Sequence, residues 1–563
     1  MTATIAGPVA AALSSTPSGA AAASAGHQLL GQPAVNPTPL ALVPHQLAGA
    51  VQHLAVANPG TLIQSVDWVA IAPPLITALA ALLVLLADLF LPQGRKKLLG
   101  PLTAAALLVA LLSLLPLTGG HPRSTFCAPN VAGATDNAGC SYVADHFALV
   151  FQLLALGGAL IAALLSLHAV REQRLPAGEY WFLLLSSAAG AALLPASRDL
   201  ATLVIALEVV SLPSFALVAL KRDGRGGEAA LKFFLSSVTA TAVMLLGVGF
   251  VYAATGSLHL AAVADGLGHL PAQLRPLAEA GAALTLVGFA FKVAAVPFHF
   301  WVPDTYAGAP LPVAGYLSVV GKAAGFAGLA LVTTIAFRPY GHTWGLLLAV
   351  LAAVTMTAGN VAALRQRGDS AQGAVRLLAW SSVAQAGYLL VPLAAAGYAG
   401  TPRPLGATVA YALIYGLVNL GAFGVAALVA RTSPANRLDD YQGLYARDRW
   451  AALAMAFFLL CLAGLPPGVV GLFGKVVVFR SAVDAGLGWL AVIMAVNVVI
   501  ALYYYLMWTA KLFAPGPETA PCGMGRQRPP ASLTGTLGLT ATAAVVLSLA
   551  PQLVLQVVGG SLF

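Results

Sequence analysis

The sequence predicts an all-α polytopic membrane protein of about fourteen transmembrane helices, built as inverted five-helix repeats with two broken helices. Three observations carry this reading. Of 563 residues, 59% are hydrophobic and only 8% charged, with a mean hydropathy of +0.86, whereas about a quarter of the residues of a soluble domain are charged. Apolar runs of roughly 18 or more residues recur almost end to end without the period-2 alternation of a membrane barrel. Two of these runs are interrupted by proline, at Pro297 and at Pro466 and Pro467.

Residues 1–60 are rich in Ala, Ser, Pro and Gly, and no Lys or Arg precedes Arg95. A signal peptide needs a basic n-region, so this stretch reads as a weakly structured, low-complexity extension before a transmembrane domain at 61–563. From Trp68 the spans fall at approximately 68–91, 99–117, 146–168, 179–197, 199–220, 229–254, 279–300, 311–335, 343–364, 374–397, 405–430, 450–482, 487–512 and 532–556, at roughly 20 residues each.

The formal charge of +9 does not point to nucleic acid, because the basic residues sit in alternate loops. Eighteen of the 28 Lys and Arg lie in or at the edge of one set of loops, six in or at the edge of the other, and four deeper inside spans. The richer set, which includes Arg95, Lys96 and Lys97, marks the cytoplasmic side, and both termini are then expected outside. Cys127 and Cys140 share an outer loop, where a disulfide can persist; the sequence leaves open whether they are bridged or are two thiols. The four cysteines show no C-x-x-C spacing, and no Gly-rich phosphate loop follows a strand, so neither metal ligation nor a nucleotide site is expected here.

The four basic residues inside spans are all lysines: Lys232, Lys292, Lys322 and Lys475. A charge at mid-bilayer costs at least roughly 2.5 to 3.5 kcal/mol, so it normally faces a bundle interior or a water path. Lysine, unlike arginine, can release its proton when buried, which favours proton transfer over anion binding. Lys292 is read as lying in the middle of an apolar helix that Pro297 then breaks, with His299, Trp301, Asp304 and Tyr306 following to satisfy the freed backbone. Lys322 has Gly321 before it and Ala323 and Ala324 after it, and Lys475 follows the Pro466 and Pro467 break. Glu208 is the single glutamate expected to be buried, with Lys232 on the next helix as its natural partner. The breaks fall in the seventh and twelfth spans, five apart, as an inverted repeat would place them.

With these residues in place, the chain resembles the antiporter-like membrane subunits of respiratory complex I, the proton-pumping NADH-quinone oxidoreductase. The carrying motifs are Glu208, FKVAAVPFHFWVPDTYAGAP, Lys322, SSVAQAGY at Ser381 to Tyr388, and GLPPGVVGLFGK. The resemblance covers about Ser65 to Leu555, and within the family it is nearest the subunit N type: a lysine at the twelfth span speaks against subunit M, and the lack of a long lateral helix against subunit L. Ala307 departs from the pattern, since relatives often carry a polar or acidic residue there. The resemblance implies a translocase subunit without a redox site of its own. NADH, FMN, iron-sulfur clusters and quinone are expected on partner subunits, in a bacterial cell (inner) membrane. It further implies that Glu208 with Lys232 forms a coupling ion pair, Lys292 is the central proton acceptor, Lys322 links half-channels, and Lys475 is the exit group. A stand-alone or Mrp-type cation/proton antiporter subunit would use the same broken helices and lysines.

Overall fold

The computed structural model describes residues 66–127, 139–516 and 529–554; the extension expected at residues 1–60 and both chain ends lie outside the described residues. Among the described residues, twelve helices are long and apolar enough to cross a membrane. They begin with α1 (Trp68–Phe90), α2 (Gln93–Leu117), α3 (His146–Glu172), α4 (Ala177–Ala196), α5 (Leu200–Ala219) and α6 (Gly224–Thr255). The seventh crossing is split into α7 (Arg275–Lys292) and α8 (Trp301–Gly308). Then come α9 (Leu311–Ala336), α10 (Gly341–Leu364), α11 (Gly373–Ala399) and α12 (Leu405–Ala430). The twelfth crossing is split into α13 (Arg449–Ala463) and α14 (Val469–Asp484), and α15 (Gly488–Phe513) and α16 (Ala531–Leu549) follow. Counting each split pair as one crossing gives the fourteen expected.

At the first break one expectation needs correction. Lys292 does not lie in mid-helix; it is the last residue of α7. The chain leaves the helix there because Pro297 cannot continue it, and Ala294 takes the left-handed conformation at φ +61°. The second break, expected at Pro466 and Pro467 within the span 450–482, is there: the helix ends after Ala463, where Gly464 adopts φ +84° and returns its N–H to the carbonyls of Leu460 and Cys461. That is a glycine-capped helix end, which L residues rarely accept. Gly471 then lets α14 lie against the end of α13, since a Cβ there would sit 1.7 Å from the Cys461 carbonyl oxygen.

The helices divide into a centre and a rim. In α11, 94% of the most apolar window is buried, and in α9 83%, against 28% in α16. The two helices that carry Lys322 and its contacts are therefore the ones held furthest from lipid. Within α9, wide π-type turns occupy Leu317–Gly321, immediately before Lys322, and Val332–Ala336; such turns unwind the ladder locally and are common at functional positions.

The two ends of the bundle differ in charge. At one end the antiparallel strands β1 (Arg123–Cys127) and β2 (Cys140–Ala144) pair with Cys127 opposite Cys140, and the two cysteines form the disulfide that the sequence left open. The other end gathers the richer basic set: Arg171 donates to the Lys97 carbonyl at 3.2 Å, and Arg431 pairs with Glu172 at 3.3 Å.

Candidate functional site

Glu208 and Ser211 stand three residues apart on α5, and Ser237 and Thr241 four apart on α6, so each pair shares a helix face. Lys292 enters between them from the C-terminal end of α7. Its Nζ donates to Ser211 Oγ at 2.6 Å and to Ser237 Oγ at 2.7 Å. Glu208 accepts a hydrogen bond from Thr241 Oγ1 at 2.7 Å and lies 4.0 Å from Lys292 Nζ. Lys292 is thus solvated by two hydroxyls and faced by one carboxylate, and its position at a helix C-terminus adds favourable alignment with the backbone dipoles.

Glu208 is less enclosed than the sequence suggested, with 24% of its side chain exposed. It lies at the edge of a stripe of α5 in which Ile205, Val209 and Leu212 are exposed. Nor does it pair with Lys232. Lys232 binds Glu228 at 2.7 Å and Asp304 at 3.1 Å, and Asp304 also takes Arg376 at 2.9 Å. The reason is height: Thr241, the residue of α6 that reaches Glu208, lies nine positions beyond Lys232, about 13 Å further along the helix axis. Lys232 is half-exposed at the basic end, where Asp304 clamps α8 to α6 and α11.

The break that follows Lys292 is satisfied by neighbours. Trp301 Nε1 donates to the Phe291 carbonyl at 3.2 Å, and the Val296 N–H donates to Thr355 Oγ1 at 2.9 Å. His299, two residues beyond Pro297, packs its ring 5.3 Å from Trp380 of α11. Across from the break, Gly325 of α9 leaves no room for a side chain, since a Cβ there would approach Lys292 Cβ to 3.0 Å. Lys322 is three residues earlier on the same face of α9 and is 2% exposed. Its Nζ donates to both the carbonyl and Oγ of Ser382, at 2.7 and 2.6 Å.

Lys475 solves its burial in another way. Its Nζ donates to the carbonyls of Leu462 and Ala463 at 2.8 and 2.7 Å. Those are the last two carbonyls of α13, which have no partner within their own helix. The ammonium also lies 5.8 Å over the Tyr388 ring. Pro466 and Pro467 occupy the turn between α13 and α14 that aims Lys475 back at this helix end. Both broken crossings therefore end a helix at a lysine ammonium.

Sequence reasoning missed the groups between Lys322 and Lys475. Ser381, next to Ser382, hydrogen-bonds Tyr505 of α15 at 2.5 Å, and Gln385 donates to the same hydroxyl at 3.3 Å. Tyr411 of α12 donates to Gln385 Oε1, and its ring packs where a Cβ on Gly474, the neighbour of Lys475, would fall 2.8 Å away. Ser381, Gln385 and Tyr388 recur at four and three residues along α11, and that helical spacing within SSVAQAGY was the available signal.

Residues 197–501 match the family described as NADH:quinone oxidoreductase/Mrp antiporter, TM. The chain belongs to that family. It is 65% identical over 528 residues to NADH-quinone oxidoreductase subunit N 2 of Streptomyces griseus, covering 92% of this chain and 98% of that one. A chain of respiratory complex I from Thermus thermophilus is 34% identical, with a TM-score of 0.67 over 87% of this chain and all of that one. A chain of the Mrp complex from Dietzia shares the fold, at 21% identity and a TM-score of 0.73 over 87% of this chain and 96% of that one. This chain is accordingly a multi-pass membrane subunit of the complex I kind.

In double-mutant cycles on denaturant unfolding of the solubilised protein, Lys232→Gln with Asp304→Asn should show a small favourable coupling, as a solvent-screened ion pair does. Lys232→Gln with Glu208→Gln should be additive. Coupling of Lys232 to Glu208 instead would contradict the geometry.

Proposed function

We propose that Glu208, Lys292, Lys322 and Lys475 carry the protons that this subunit of NADH-quinone oxidoreductase translocates, driven by quinone reduction in partner subunits. The observation that carries this reading is a row of polar groups at membrane depth, hydrogen-bonded in segments. Glu208 faces Lys292, Gly325 of α9 packs on Lys292 one turn from Lys322, Lys322 donates to Ser382, and the linked group Ser381, Tyr505, Gln385 and Tyr411 ends with the Tyr411 ring against Gly474, the neighbour of Lys475. Among the described residues, Lys292 alone of the three buried lysines has a carboxylate at ion-pair distance. Its charge therefore responds to Glu208, whereas Lys322 and Lys475 are held by neutral acceptors and can be left neutral without stranding a carboxylate.

Lys232 has no place in this line; with Asp304 and Arg376 it fixes the start of α8. His299 and Pro297 serve the line by shaping the break. NADH, FMN, iron-sulfur clusters and quinone belong to partner subunits, and the membrane is the bacterial inner membrane. The larger basic set faces the cytoplasm by the positive-inside rule, which puts the disulfide-bonded hairpin and both termini outside.

Glu208→Gln keeps the size and the Thr241 contact but removes the charge that faces Lys292. Proton pumping per NADH oxidised, measured in vesicles containing assembled complex, should fall at least several-fold with assembly intact; full pumping would refute the role of Glu208. For orientation, single cysteines introduced by Gln93→Cys and Ser561→Cys should react with an impermeant maleimide from opposite sides of the membrane. Reaction of both from one side would invert or break the proposed topology.

A further inference from the structure

At the basic end of the bundle, α2, α3 and α4 enclose a hollow of about 400 Å³ whose wall includes Lys96, Lys97, Arg171, Arg174, Leu167 and Trp181. Its charge is uncompensated. Lys96 is neutralised by Asp88 at 2.7 Å, but among the described residues no carboxylate pairs with Lys97, Arg171 or Arg174. The Arg171 guanidinium spends one donor on the Lys97 backbone carbonyl at 3.2 Å, and the adjacent Glu172 is engaged by Arg431 at 3.3 Å. Elsewhere at this end Lys221 pairs with Asp223, Arg376 with Asp304 and Lys511 with Asp439, while among the described residues Arg222, Arg365 and Arg449 are exposed without a carboxylate partner and line no part of this hollow.

The surroundings of these three cations are those of a membrane boundary. The hollow lies where the spans Gln93–Leu117, His146–Glu172 and Ala177–Ala196 begin or end. Its inner side is apolar and closed: Leu167 and Trp181 pack so tightly onto Gly100 that a Cβ there would lie 2.6 and 2.8 Å from them. Beside it, Leu98 and Leu102 on the outer flank of α2 are 54% and 49% exposed. Three cations at the mouth, an apolar wall and an exposed apolar flank together describe an amphipathic anion.

We propose that this hollow holds the phosphate headgroup of an anionic phospholipid, with its acyl chains lying along α2. Lys97, Arg171 and Arg174 bind the phosphate, and Leu98 and Leu102 cover the chains. A soluble acidic partner would leave the apolar flank exposed, and a neutral lipid would leave the cations uncompensated. Basic pockets between helices on the side facing an anionic leaflet are suited to such headgroups, and each cation near the surface contributes roughly fivefold to binding.

The test uses the assembled complex in mild detergent, with native mass spectrometry of this subunit after addition of dioleoylphosphatidylglycerol or dioleoylphosphatidylcholine. The natural chain should retain one phosphatidylglycerol in preference to phosphatidylcholine by more than about tenfold. The triple variant Lys97→Gln, Arg171→Gln, Arg174→Gln should lose that preference. A control triple variant, Arg222→Gln, Arg365→Gln, Arg449→Gln, removes the same charge from exposed positions outside the hollow and should keep it. Helix content by circular dichroism checks that both variants are folded. Equal retention of the two lipids by the natural chain, or an equal loss in the two triple variants, would overturn the site.

Discussion

An ammonium group held inside a bilayer-spanning bundle must have its lost hydration replaced by protein, and the rest of this structure is arranged around that requirement. Lys292 receives two serine hydroxyls, Lys322 a serine carbonyl and hydroxyl, and Lys475 two carbonyls from the end of a helix. Each solution needs backbone or hydroxyl acceptors where a regular apolar helix offers none. Serines of unbroken helices supply them for Lys292 and Lys322, and a break supplies them for Lys475. In α13 the helix stops so that its terminal carbonyls can face Lys475, and in α7 it stops at Lys292 itself.

The contact between Glu208 and Lys292 is close without being a direct hydrogen bond. At 4.0 Å, two unit charges at an effective dielectric of 20 interact by about 4 kcal/mol, which exceeds the roughly 2.3 kcal/mol needed to move one charge against 100 mV. Because Ser211, Ser237 and Thr241 hold both groups independently, neutralising either one leaves the other with a hydrogen-bond partner. The pair can therefore change its protonation without the cost of an unpartnered buried group.

Much of this was legible in the sequence because membrane burial makes charge conspicuous: three of the four lysines placed inside spans, Lys292, Lys322 and Lys475, and two proline interruptions five spans apart already marked the axis. What could not be read was the rotation and height of each helix. Lys232 looked like the partner of Glu208 because the helices are consecutive, yet it lies more than two turns away from the level at which Thr241 meets that carboxylate. Proline was also an ambiguous sign, since Pro213 and Pro392 lie within continuous helices while Pro297 follows a real break. Tyr505 and Tyr411 were invisible because a buried tyrosine has the same sequence signature whether its hydroxyl joins a polar cluster, as these do with Ser381 and Gln385, or its ring merely fills a core.

The central claim is that Lys292 acts by releasing and regaining a proton, and substitution by arginine tests it most directly. Arginine keeps the positive charge opposite Glu208 but does not deprotonate in a protein. Proton uptake by vesicles under NADH-driven turnover, normalised to NADH oxidation and to assembled complex, should collapse in Lys292→Arg and equally in Lys292→Met. Pumping at the natural level in Lys292→Arg, with loss only in Lys292→Met, would show that the site needs a fixed charge and would contradict a titrating lysine.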